Sequence, residues 1–167
     1  LRSAGAGFSP EAFRKDTFPT LHRLELKDRV RHLITVMRVH LPSSFPETAA
    51  ILRAIPEHWP ADENDHAFQV YAAWPIIDYV AEHGLNHPDI ALPLLRCLTP
   101  LFSAEFAIRP FLEVHTEQTY NQMLLWCMDP DDHVRRLASE GIRPRLPWGK
   151  QLPQYIDNPV PVISLLG

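Results

Sequence analysis

Glycine is scarce in this chain, and cysteine is scarcer. Six glycines in 167 residues supply too few left-handed turn positions for an all-β domain built from hairpins. The two cysteines, Cys97 and Cys127, have no close partner spacing, which excludes a disulfide scaffold and a CxxC metal site. Free thiols suit a reducing cytosol, so a cytoplasmic protein is expected. No apolar run approaches the roughly 18 residues a membrane span needs, and no membrane partner is expected. Convincing period-2 alternation is missing as well, which argues against strands. Hydrophobic residues at 46% and charged residues at 22% are ordinary globular usage and exclude a disordered chain. A chain of this length can bury roughly 70% of its unfolded surface, enough for one domain with a real core.

What is plentiful is proline, 17 residues in all. Proline suits the first turn of a helix, where no backbone donor is needed, so many short proline-started helices account for both unusual counts. Ser9-Pro10-Glu11 is a cap with proline at the first helical position. Leu26, Val30, Leu33, Ile34, Met37 and Leu41 form one buried stripe that Pro42 ends. Ser44-Phe45-Pro46-Glu47 starts a helix to about Ile55, and residues 56–66 are a polar loop. Residues 68–83 are helical with an interruption at Trp74-Pro75, and Gly84 is a C-cap candidate. His87-Pro88-Asp89 begins a helix to about Leu101, and Ser103 caps another over 104–114. A further helix begins at Thr116 and ends near Met128, and Asp129-Pro130-Asp131-Asp132 opens the next. The expectation is at least eight helices, no sheet, and antiparallel pairs along a superhelix.

The formal net charge is −4, but its distribution is uneven. Residues 14–38 hold seven Lys/Arg against three Asp/Glu, and residues 133–150 hold five against one. Residues 39–130 hold three against twelve. Basic segments sorted in this way can share a face even on an acidic protein; the plain alternative is solvated helix surface without a partner. Asp28-Arg29-Val30-Arg31-His32-Leu33 is echoed by Asp132-His133-Val134-Arg135-Arg136-Leu137. In both, Val and Leu are expected to face inward and the arginines outward, the pattern of HEAT-type repeats stacked into a solenoid.

Residues with chemical potential concentrate in two segments. In SAEFAIRPFL, residues 103–112, Glu105 and Arg109 stand four apart on one helix face. In HVRRLASEGIRPRLPWG, residues 133–149, Arg136 and Glu140 repeat that spacing. Arg143, Arg145 and Trp148 follow in a proline-rich loop. Each Arg–Glu pair on its own is a surface ion pair worth a few tenths of a kcal/mol. The run Arg-Pro-Arg-Leu-Pro-Trp has no evident packing role, and its cations and aromatic face suit phosphate and base or sugar contact.

These two motifs, together with LELKDRVRHLI at residues 24–34, resemble the HEAT-like-repeat DNA glycosylases of the AlkC/AlkD group, most closely the AlkC branch. The resemblance runs from about Phe8 to the end of the chain. It implies an all-α, C-shaped solenoid whose concave basic surface grips duplex DNA. The implied activity is excision of cationic alkylated bases such as 3-methyladenine and 3-methylcytosine, without flipping the base into a pocket. By the same resemblance Glu105 and Glu140 match active-site carboxylates, while Trp148 and Arg136 match positions near the lesion. Arg109, Arg135, Arg143, Arg145 and Lys150 are then expected at phosphates. No metal, no cofactor and a monomer are expected. A further family acid belongs to a later Asn-x-Leu-Asn-Asp motif that this sequence does not reach. Residues 1–7 are expected to form a tail, 8–167 a single repeat domain, and the apolar ending leads us to expect native sequence beyond Gly167.

The chemistry suits such residues. A base methylated at N3 already carries positive charge and leaves without a strong general acid. The deoxyribose gains oxocarbenium character, which a carboxylate near C1′ stabilises while orienting water. Arginines nearby are expected to keep both glutamates ionised. His83 and His87 have zinc-like spacing, but Gly84 and Pro88 break the helix that would align them. Trp59 and Trp74 are expected in packing, Cys97 and Cys127 buried and inert, with Tyr71, Trp74 and Asp78 near the concave face. The competing reading is a non-catalytic helical-repeat module that binds DNA or protein.

Overall fold

The computed structural model describes residues 8–59 and 66–167. Among them are ten α-helices and no strand. They are α1 Pro10–Leu21, α2 Leu26–His40, α3 Phe45–Arg53, α4 His66–His83, α5 Pro88–Leu98, α6 Arg109–Val114, α7 Thr116–Trp126, α8 Asp132–Gly141, α9 Pro153–Asp157 and α10 Val160–Leu166.

The start signals act as their chemistry dictates. Ser9 Oγ accepts the Ala12 N–H at 3.3 Å ahead of Pro10. Asp131, rather than Asp129, caps α8, accepting the His133 N–H at 2.8 Å. Asp129 instead pairs with Arg96 at 2.6 Å, and this pairing holds its carboxyl below the usual carboxylate range. Neighbours in sequence are largely neighbours in space: α1 packs on α2, α6 on α7 and α7 on α8. Both α3 and α4 lie against α5, which buries Leu92, Leu94, Leu95 and Leu98 completely or nearly so. Each such leucine contributes roughly 1.5–3 kcal/mol by leaving water. One continuous apolar cluster joins Val30 of α2 to Leu165 of α10.

The internal echo survives in three dimensions. Val30 and Val134 are both buried, and Arg31 and Arg135 are both exposed. The α2 stripe differs at two positions, because Leu26 is exposed and Val36 takes its place inside.

Several boundaries depart from expectation for identifiable reasons. α4 runs without a break through Pro75. The proline costs a backbone donor, but Trp74, Ile76, Ile77, Tyr79 and Val80 around it are all buried, and that packing outweighs the local penalty. Of the expected loop at 56–66, Pro56–His58 forms a 3₁₀ turn and α4 already begins at His66; residues 60–65 lie outside the described residues. α5 stops at Leu98, and α6 begins only at Arg109, so residues 104–108 are turns rather than the start of a helix. Thr99, not Ser103, supplies the cap there, its Oγ1 accepting the Ala104 N–H at 3.1 Å.

Gly84 follows α4 as expected, but its backbone is not left-handed. Glycine is required there by close approach: a Cβ would stand 2.5 Å from Phe45 Cζ and 2.6 Å from the Val80 carbonyl oxygen. Gly84→Ala should therefore destabilise the protein by about 1–3 kcal/mol, the usual cost of overpacking. Chemical denaturation tests this, and an unchanged midpoint would contradict the contact.

Candidate active site

Glu105 sits in the turn between α5 and α6, and Glu140 on the last turn of α8. The fold brings both carboxyls to Arg136, which lines one cleft with Glu105 and donates to Glu140 at 3.3 Å. Burial pushes the Glu105 carboxyl above its ordinary range, and the neighbouring Glu140 carboxyl pushes it further the same way. Arg136 and the Ser103 hydroxyl offset this in part. The expectation that nearby arginines hold both glutamates fully ionised therefore fails for Glu105. One of its carboxyl oxygens is buried without a donor among the described residues.

Glu140 is the more solvated partner, its side chain 31% exposed. It accepts from Arg136 Nε at 3.3 Å and lies 3.8 Å from Arg143. Glu105 and Arg136 line a cleft of about 310 Å³ with Phe102, Ser103 and His133.

Arg109 requires a correction. It is 0% exposed and so cannot reach a phosphate, nor does it share a helix face with Glu105, which precedes α6. Its guanidinium turns inward onto carbonyl oxygens: Gly141 at 3.0 Å, Arg143 at 2.9 Å, Pro144 at 3.3 Å, and Lys150. The loop 143–150, which appeared to lack a packing role, is wrapped around this buried cation. Leu146 is buried with it. Burial pulls the guanidinium's affinity for its proton down, and the negative charge of Glu105 opposes that.

The other basic residues remain at the surface. Arg143 and Arg145 are exposed. Lys150 pairs with Glu113, and Arg135 donates to the carbonyls of Asp129 at 2.8 Å and Pro130 at 2.9 Å, sealing the turn before α8. Trp148 is 76% exposed and has a φ of 65°, a left-handed conformation that costs a non-glycine residue about 1–2 kcal/mol. Lys27 of α2 stands over its ring, 5.6 Å from the centroid.

Trp148, Lys27 and Lys150 rim a hollow of about 390 Å³. Trp74, Phe106 and Asp78 line the same hollow. Trp74 stacks on Phe102 at 5.5 Å and Phe106 at 6.4 Å, an aromatic ladder flanking Glu105 in sequence. Trp74 Nε1 donates to Asp78 at 2.7 Å. Burial is the main cause that raises the Asp78 carboxyl to about 6, only partly opposed by that hydrogen bond. Sequence reasoning placed Trp74 and Asp78 near the site without a role and missed Lys27, whose only signal was its basic segment.

The remaining candidates have structural positions. His83 packs on Tyr79 at 4.4 Å and His87 stacks on Phe45 at 5.6 Å. The thiols of Cys97 and Cys127 are free and half-buried, less enclosed than expected. No helix among the described residues is long and apolar enough to cross a membrane.

No family model matches the chain. An uncharacterized protein, YhaZ, of Bacillus subtilis (strain 168) is 37% identical over 160 residues, 92% of this chain and 42% of that protein. The Pseudomonas fluorescens alkylpurine DNA glycosylase AlkC, solved bound to DNA containing an abasic site analog, superposes with a TM-score of 0.83 at 30% identity. The chain has the helical-repeat fold of AlkC. That match covers 98% of this chain and 44% of the AlkC chain, so the sequence spans less than half the length of these two relatives.

Asp78 supplies a test of the site's electrostatics. Its carboxyl is raised from 3.8 to about 6 in the fold, so it favours folding when protonated. That contribution is full below about pH 4 and lost as pH rises through about 6, an effect of up to about 3 kcal/mol. Asp78→Asn, which can still accept from Trp74, should flatten this part of the stability profile and stabilise the protein at neutral pH. Denaturation midpoints across that range check it; a variant as pH-sensitive as wild type would contradict the assignment.

Proposed function

We propose that this chain is an AlkC-type DNA repair glycosylase unit that hydrolyses the N-glycosidic bond of cationic alkylated bases, 3-methyladenine and 3-methylcytosine, in duplex DNA without flipping the base. The observation that carries this reading is the placing of Glu105 and Glu140, from separate elements, around Arg136, which lines one cleft with Glu105 and donates to Glu140 at 3.3 Å. The similarity to a DNA-bound glycosylase at 30% identity supports it. The reading takes residues 8–167 as one repeat domain acting as a monomer in the cytoplasm.

The lesion's positive charge makes the base its own leaving group. Breaking the N-glycosidic bond returns the electron pair to the base, which departs neutral, and leaves positive charge on the sugar. The ionised member of the carboxyl pair faces that charge, and a fixed anion in a water-poor site stabilises it more than solvent would. Water then adds at C1′, and its proton passes to the carboxylate. Arg136, held by Glu140 and exposed beside the cleft, is the cation for a phosphate or the lesion pair in this reading. Trp148 offers an exposed ring for stacking on sugar or base, and Arg143 and Arg145 lie beside it as phosphate contacts. The chemistry calls for neither metal nor cofactor.

Glu105→Gln and Glu140→Gln retain size and hydrogen bonding but lose the charge. Each should slow single-turnover base release from alkylated DNA by about 10²–10⁴-fold in the full-length protein. DNA affinity should hold or rise slightly, since a negative charge is removed from a phosphate-binding surface. Folding should survive, because the ion pairs of Glu140 contribute less than about 1 kcal/mol and Glu105, held up by burial, makes no ion pair among the described residues. Wild-type rates in both variants would remove the catalytic assignment, and a protein with no base release to lose would be a binding module.

Arg143→Ala with Arg145→Ala tests the surface cations. Binding to undamaged and alkylated duplex should weaken equally, with a shallower salt dependence than wild type. A loss confined to alkylated DNA would make these residues lesion readers instead.

A further inference from the structure

Arg109 is the one charged side chain among the described residues that is wholly buried, and its partners are informative. They come from residues 32 to 41 positions later in the chain. All four are backbone carbonyls, and all belong to the end of α8 or the loop behind it. Gly141 is the last residue of α8, next to Glu140. Arg143, Pro144 and Lys150 bracket the segment that presents Arg145 and Trp148. A planar guanidinium with five donors in a fixed fork can hold several carbonyls at once, whereas an ammonium or an amide cannot span them. A cation is also favoured at a helix C-terminus, where unpaired carbonyls point outward.

We propose that Arg109 is the positioning residue of this site. It touches no substrate; it fixes the end of α8 and the loop 143–150 so that Glu140 meets Glu105 and Trp148 is held in its left-handed pose. This rests on the glycosylase reading above for its catalytic consequence, but not for its structural one. Three further features fit. The loop's own backbone bonds are few, Arg143 N–H to Glu140 at 3.2 Å, Leu152 N–H to Pro144 at 3.0 Å and Gly149 N–H to Leu146 at 3.0 Å, and Arg109 adds bonds to three of its carbonyls. The loop carries an aromatic residue with a φ of 65°, which persists only where the surroundings over-determine it. Arg109 also feels the charge of Glu105, which places both ends of the site within its field.

The test uses Arg109→Lys and Arg109→Gln in the full-length protein, with two independent readouts. The first is limited trypsin digestion at the Arg145–Leu146 bond, which needs no activity. Wild type should resist cleavage there, since Leu146 is buried, and both variants should be cut at least about tenfold faster while retaining helical circular dichroism. The second is single-turnover base release beside DNA binding. Excision should fall at least about tenfold while affinity for undamaged duplex changes less than about threefold, because catalysis depends on geometry more steeply than phosphate attraction does. Wild-type resistance to trypsin in both variants would overturn the proposal, as would a loosened loop with an unchanged excision rate. Loss of helical structure in both variants would make Arg109 a residue of the core alone, which also overturns it. If wild type releases no base, the glycosylase reading fails, and the trypsin result still judges the positioning.

Discussion

A guanidinium buried against carbonyls rather than a carboxylate is the constraint on which the site depends. Taking a charge out of water costs several kcal/mol, and Arg109 recovers this from the dipoles of Gly141, Arg143, Pro144 and Lys150. Polar groups near the protein interior need partners, and these carbonyls receive theirs from Arg109, with the Pro144 carbonyl also accepting the Leu152 N–H. The arrangement satisfies both sides at once, and it ties the start of α6 directly to the end of α8 and the loop behind it, 32 to 41 residues later in the chain. The departures of loop 143–150 from ordinary backbone, including left-handed Trp148, are sustainable because that segment is pinned.

The same closeness accounts for the electrostatics of the acidic pair. Glu140 lies at the solvated edge with Arg136 and Arg143 as partners. Glu105 is deeper, and its inward neighbour Arg109 has committed its donors elsewhere. Glu105 is therefore left with burial and a like charge as the dominant influences, and its carboxyl is held up rather than down. Two carboxyls near one arginine therefore stand in unequal surroundings, Glu105 the more buried and Glu140 the better paired. Asp78 is raised by the same physical cause on the far side of the Trp74–Phe106 stack.

The fold was legible from proline and the 3.6-residue period: Ser9-Pro10 and the α2 stripe needed only local chemistry. The Val30/Val134 echo carried the repeat architecture. Pro75 misled because proline's penalty is local and visible, while the packing that overrides it comes from other helices. The start of α6 was misplaced because Thr99 Oγ1 reaches across five residues to cap Ala104, a bond no spacing rule anticipates. At the site, spacing singled out Glu105 and Glu140 but assigned their arginines alike. Arg136 does pair with Glu140 four residues on, whereas Arg109 at the equivalent spacing turns into the core. Sequence spacing cannot distinguish those outcomes, since the acceptors of Arg109 are backbone carbonyls, and every residue type has one.

The pH dependence of single-turnover 3-methyladenine release by the full-length protein bears most directly on the role of Glu105. The account predicts a rate that climbs with pH through a midpoint above the ordinary carboxylate value of about 4.3, as Glu105, held up by burial and by neighbouring Glu140, gives up its proton. That climb should vanish in Glu105→Gln. A rate that is flat between about pH 4 and about pH 8, or a climb that persists unchanged in Glu105→Gln, would contradict it.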